Sequence, residues 1–169
     1  MHLEDTTNKL RITTEAFIIC QNEILLFQRD KNSKVFPGFW SVPGGHVDFG
    51  EDALTGCIRE IKEETGLSVT PLDVKLKYIA FHNHLDRKET WNVYGFYVNV
   101  PAKHEVINED EGTAEWVNLN EVEKRDLFPP VAYYLKHSIN PNSGLLYNSS
   151  EWEKAQLVRI LTEMKDKDY

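Results

Sequence analysis

The stretch Gly45–Leu67, GHVDFGEDALTGCIREIKEETGL, decides how this chain is read. Gly44, Gly45 and Gly50 permit a tight loop, and Glu51 and Asp52 then place negative charge where a helix N-terminus favours it. Gly66 stands where a left-handed residue closes a helix. On a helix of about 3.6 residues per turn, Ala53, Leu54, Cys57, Ile58 and Ile61 form an apolar stripe. Glu60, Glu63 and Glu64 form a second stripe of carboxylates, three and four residues apart. Such carboxylates repel unless a cation sits among them. A hard divalent ion takes oxygen ligands, and magnesium combines a few carboxylates with substrate phosphates. A Glu-rich helix face alone is ordinarily just solvated, so the weight falls on the whole pattern.

That pattern, G-x5-E-x7-R-E-Ile-x-E-E-x-G-Leu, is met at every specified position from Gly45 to Leu67, and it resembles the box of the Nudix hydrolases. The preceding Phe39-Trp40-Ser41-Val42-Pro43-Gly44 resembles that family's lead-in. The resemblance implies an α/β fold, an α/β/α sandwich around a mixed β-sheet with the box as loop–helix–loop. It also implies hydrolysis of a pyrophosphate bond in a nucleoside di- or triphosphate derivative, assisted by Mg2+ or Mn2+. Carried onto this chain, Glu60 and Glu64 are the principal metal ligands, Glu63 a further ligand or water-orienting group, and Gly45 a backbone carbonyl donor. Arg59 holds the carboxylates in place by pairing with Glu51 or Glu63. The general base comes from the box or from a loop outside it. Glu109, in the acidic run Glu109-Asp110-Glu111, is the first candidate outside.

The bulk of the chain fits this reading. Its 169 residues, 41% hydrophobic and 27% charged, suit one globular domain with a real core. With 19 Lys and Arg against 27 Asp and Glu, the net charge of −8 argues against a nucleic-acid partner, which needs a basic footprint. A polyphosphate substrate is compatible with that charge only if metal ions supply the positive potential. Cys20 and Cys57 make no disulfide framework and sit at apolar positions, expected to be packed. No signal-peptide pattern or long apolar run is visible, so no membrane and a cytoplasmic setting are expected, and a homodimer is compatible with the family.

Met1–Leu10 reads as a flexible segment and residues 11–169 as a single domain ending in helices. Arg11–Cys20 and Glu23–Arg29 read as a β-hairpin about Gln21-Asn22. Trp40–Val42 reads as a short strand whose tryptophan is core. Val74–His82 and Thr90–Val100 read as strands, the second central because both its faces are apolar. His82 and His84 share a strand face and fit a loop or substrate rim better than a metal site. Phe81, Trp91 and Phe128 are either core or surfaces on which a base stacks. Glu115–Val117 reads as the final strand, Asn120–Glu123 as a capped helical turn, and Pro129–His137 as a helix with proline in its first turn. Ser150–Glu153 reads as a capping box opening a helix to Lys165. Two other functions compete with hydrolysis: a catalytically silent sensor of a nucleotide metabolite, whose usual mark is an eroded box, and an isoprenoid diphosphate isomerase, which needs a catalytic cysteine.

Overall fold

The computed structural model describes residues 9–31, 36–103 and 112–166. β1 (Lys9–Cys20) turns at Gln21-Asn22 into β2 (Glu23–Arg29), an antiparallel hairpin as expected. Lys9 and Leu10 belong to β1 rather than to a loose terminus, while residues 1–8 lie outside the described part. β3 (Trp40–Ser41) pairs with β2, and the box supplies helix α1 (Ala53–Thr65). β4 (Val74–His84) and β5 (Glu89–Asn99) form an antiparallel pair, and β5 runs parallel to β1. β6 (Gly112–Asn118) pairs with β2, helix α2 (Pro129–Ser138) follows, and β7 (Leu146–Glu153) and β8 (Gln156–Lys165) close the chain. The strand order is β3-β2-β1-β5-β4-β7-β8, in a mixed sheet.

Alternation along β1 assigns the layers. Ala16, Ile18 and Cys20 pack with Cys57 and Ile61 of α1 on one face. Phe17 and Ile19 pack on the other with Tyr78 and Ala80 of β4 and with Val131, Tyr134 and Leu135 of α2. One helix therefore covers each face of a mixed sheet. Trp40 is buried in the second of these cores. Among the described residues, no helix is long and apolar enough to cross a membrane.

The C-terminal segment corrects the sequence reading. Ser150–Glu153 lies within β7, and Lys154 and Ala155, with φ of 49° and 61°, make a tight turn into β8 instead of a helix. Glu115–Val117 is accordingly not the last strand. The cause is tertiary: β7 adds in parallel to β4, and its burial alternates residue by residue through Leu146, Asn148, Ser150 and Trp152. The Ser150 hydroxyl accepts from the Trp152 indole N–H at 2.9 Å and caps nothing. Leu157, Val158, Ile160, Leu161 and Met164 are exposed on the edge strand. Two register shifts against β7 break up that edge, a device that discourages further strand pairing. Asn120–Glu123 also falls short of a capped helix: a single 3-10 turn spans Val122–Lys124, with no side-chain cap.

Where α2 ends, the returning loop is held by a buried ammonium. Lys77 Nζ donates to the carbonyls of Asn140 (2.6 Å), Pro141 (3.1 Å) and Ser143 (2.9 Å) and to the Ser143 hydroxyl (3.0 Å). Burial, then the neighbouring Lys75, lowers its pKa to about 8. Lys77→Met removes this donor, although the Pro141 carbonyl keeps Lys75 Nζ (2.9 Å) and the Asn140 carbonyl keeps the Ser143 N–H (3.2 Å). The expected loss is about 2 kcal/mol, measured by urea unfolding at pH 7. An unchanged unfolding midpoint would mean that the loop finds other donors.

Candidate active site

The box folds as its residues dictate. Asp52 caps α1, its carboxylate accepting from the backbone N–H of Leu54 (2.9 Å) and Thr55 (3.0 Å). Gly66 closes the helix at φ 73°, donating to the Lys62 carbonyl. Glu51, read as a helix-dipole partner, does something more specific. It accepts Arg59 Nε (2.9 Å) and Nη2 (3.1 Å) as a two-pronged pair, together with the Asp48 N–H (3.0 Å). The Arg59 bond, then the Asp48 N–H, holds the Glu51 carboxyl below its usual range.

Arg59 reaches further than the sequence indicated. Its Nη1 donates to Glu60 Oε1 and Glu63 Oε2, each at 2.9 Å, and its Nη2 donates to the His46 carbonyl at 2.9 Å. These acceptors raise its pKa, with Glu51 contributing most. The guanidinium thus ties the helix face to the loop that enters it. Glu64 turns to the same loop and accepts the Gly44 N–H at 2.9 Å. Gly45 needs its missing side chain: a Cβ there would sit 2.5 Å from the Glu60 carboxylate. Its carbonyl accepts the Thr14 N–H at 2.9 Å, which fastens the loop to β1.

Gly45, Glu60, Glu63 and Glu64 all line one cavity of about 890 Å³, with Thr13, Glu15, His82 and His84 of the sheet among its other walls. A volume of this order accommodates a nucleotide-sized ligand. Among the described residues, no three His, Cys, Asp or Glu side chains stand together as a metal site, Glu60, Glu63 and Glu64 included. They fit a hard cation as donor types, several carboxylates and a carbonyl beside a cradle that a Cβ would fill, with Arg59 supplying the positive charge between Glu60 and Glu63. Glu109, the candidate base, lies outside the described residues.

The sheet side of the cavity carries groups that sequence reasoning missed. Glu15, whose carboxyl burial pushes up to about 7, accepts the Tyr78 O–H. Glu15, Gly95 and Tyr78 stand side by side on three strands, and a Cβ on Gly95 would meet the Tyr78 ring at 1.9 Å. Gly95 lets that ring cross to Glu15, so a glycine inside a strand was the available signal. Tyr134 stacks on Tyr78 at 4.1 Å and donates to Asn148 Oδ1 at 2.9 Å, which makes His82 Nε2, 3.1 Å from the Tyr134 oxygen, the donor. Burial, then His84, lowers the His82 pKa to about 3, so the ring is neutral. Both histidines are buried in β4 rather than in a loop, and both line the cavity. Trp91 and Phe128 line the cavity, whereas Phe81 packs against Tyr147. Cys20 and Cys57 are buried, and burial, then Glu60, raises the Cys57 thiol to about 12, so neither offers the exposed nucleophile an isomerase requires.

The mixed sheet with one helix on each face and the box on α1 define a Nudix-type fold. The NUDIX domain model matches residues 9–137, and the chain belongs to that family. The nucleoside triphosphatase NudI of Escherichia fergusonii is 32% identical over 125 residues, covering 65% of this chain and 86% of that protein. The m7GpppN-mRNA hydrolase NUDT17 of Xenopus laevis is 49% identical over 45 residues, 27% of this chain, and the match spans only 15% of that protein's length. Among solved structures, the MutT protein of Bacillus halodurans superposes with a TM-score of 0.74 at 24% identity, over 92% of this chain and 97% of that one. The family-matched residues end at 137, ahead of β7 and β8.

Proposed function

We propose that the chain hydrolyses a phosphoric anhydride bond in a nucleoside di- or triphosphate derivative, with Mg2+ or Mn2+ held by Glu60, Glu63, Glu64 and the Gly45 carbonyl. The observation that carries this reading is that those residues line one nucleotide-sized cavity, with Arg59 bonded to Glu60 and Glu63. A divalent ion there supplies charge neutralisation at the phosphate oxygens and activation of water. The protein's part is to hold the donors still: Arg59 clamps Glu51, Glu60 and Glu63, and the Gly44 N–H fixes Glu64. A water oxygen attacks phosphorus, the bridging P–O bond breaks, and the leaving group departs as a phosphate. The water proton passes to a carboxylate acting as general base, for which Glu109 and Glu63 are the proposed candidates.

NudI and NUDT17 bear names for different nucleotide substrates, so the substrate is proposed only as a class. The test is a magnesium-dependent hydrolysis screen of nucleoside triphosphates, ADP-ribose, nucleotide sugars, NADH and dinucleoside polyphosphates, with Glu64→Gln as blank. Turnover lost in the blank supports the reading. Nucleotide binding without turnover of any compound would favour the sensor instead.

A further inference from the structure

Beyond the carboxylates of α1, the cavity is lined by two more acids, Asp30 and Glu15, and Glu15 serves neither the helix face nor the apolar core. Glu15 projects from β1 on the side of the sheet that faces α2, in the row Glu15–Gly95–Tyr78. It lines the same cavity as Glu60, Glu63 and Glu64. Only its Oε2 is engaged among the described residues, by the Tyr78 O–H, and the Tyr78 ring is itself locked between Gly95 and the stacked Tyr134. The carboxyl is thus held by a rigid support while its second oxygen remains available to a ligand, as a recognition group requires.

With the phosphates of a nucleotide at the α1 wall, the nucleoside end must occupy the remainder of the cavity, whose surface includes Glu15, Thr13, His82 and Trp91 beside Arg29 and Asp30. We infer that Glu15 reads the base, accepting adjacent N–H donors from its hydrogen-bonding edge, and so favours guanine-type over adenine-type nucleotides. Guanine presents its ring N1–H and its exocyclic amine side by side, two donors for one carboxylate. Adenine presents one amine next to a bare ring nitrogen, which a carboxylate repels. An amide at the same place, with one acceptor and one donor, matches adenine. This inference rests on the function proposed above.

The experiment compares kcat/KM for GTP and ATP at pH 8, where the Glu15 carboxyl is ionised, in the wild type and in Glu15→Gln. The wild type is expected to prefer GTP. The variant should lower the GTP-to-ATP ratio about tenfold or more, chiefly through KM, because the phosphate end is untouched. A wild type that prefers ATP overturns the inference without recourse to the variant. So does a variant in which both substrates fall by one common factor, the signature of a merely structural role. If the wild type hydrolyses neither these nucleotides nor any other compound of the screen above, the proposed function fails by itself. The base preference is then read from dissociation constants for GDP and ADP in the same two proteins, and equal ratios overturn it.

Discussion

Glu60→Gln and Glu64→Gln should each lower kcat/KM about a thousandfold while leaving the fold intact. The magnitude follows from charge. A divalent ion stabilises the developing phosphate charge by several kcal/mol, and about 4 kcal/mol is about a thousandfold in rate. The survival of the fold follows from hydrogen bonding. A glutamine at 60 still accepts the Arg59 Nη1 that the carboxylate accepts at 2.9 Å, and one at 64 still accepts the Gly44 N–H at 2.9 Å. Each variant removes charge while conserving shape, and thermal unfolding should therefore move little. Calorimetric titration with Mg2+ in the absence of substrate gives a second readout, expected to show weaker binding in both variants. Wild-type turnover in both would remove Glu60 and Glu64 from the metal site.

The box was legible because local chemistry decides it. Asp52 as N-cap, Gly66 as the left-handed stop and the two stripes of α1 follow from residues a few positions apart. The carboxylate patch was equally readable, and so was Arg59 as the partner of Glu51 or Glu63, but not the reach of that guanidinium to Glu60. The sequence shows three repelling glutamates and suggests a metal, whereas Arg59 already stands between two of them, and that depends on rotamers rather than on spacing. The β7–β8 hairpin was misread for the opposite reason. Ser150 and Glu153 imitate a capping box, and the pairing of β7 with β4, some seventy positions back along the chain, overrides that local signal. Glu15 escaped notice altogether, since a single acid in an apolar strand has no spacing pattern. Only the fold brings Gly95 and Tyr78 beside it.

That placement of Glu15 has a measurable cost. Burial raises its carboxyl from an ordinary 4.5 to about 7, against a smaller opposing effect of the Tyr78 hydrogen bond. A group whose pKa is higher in the folded chain contributes stability that is present below its unfolded value and lost as pH rises through its folded value. For Glu15 the window runs from 4.5 to about 7. His82 acts oppositely: burial lowers it from 6.5 to about 3, so its contribution is present above 6.5 and is lost as acid charges the ring in the unfolded chain. The two partly cancel in the wild type and separate by difference. Glu15→Gln keeps an oxygen for the Tyr78 hydroxyl and leaves His82 unchanged, so the variant minus the wild type isolates Glu15. It should be more stable than the wild type by about 3 kcal/mol at pH 8 and by only about 1 kcal/mol at pH 5, read from urea unfolding at the two pH values. A gap that does not change with pH would show that the carboxyl titrates normally. A gap that opens with pH means that the fold tolerates an acid where an amide is more stable, as expected of a residue kept for what it binds.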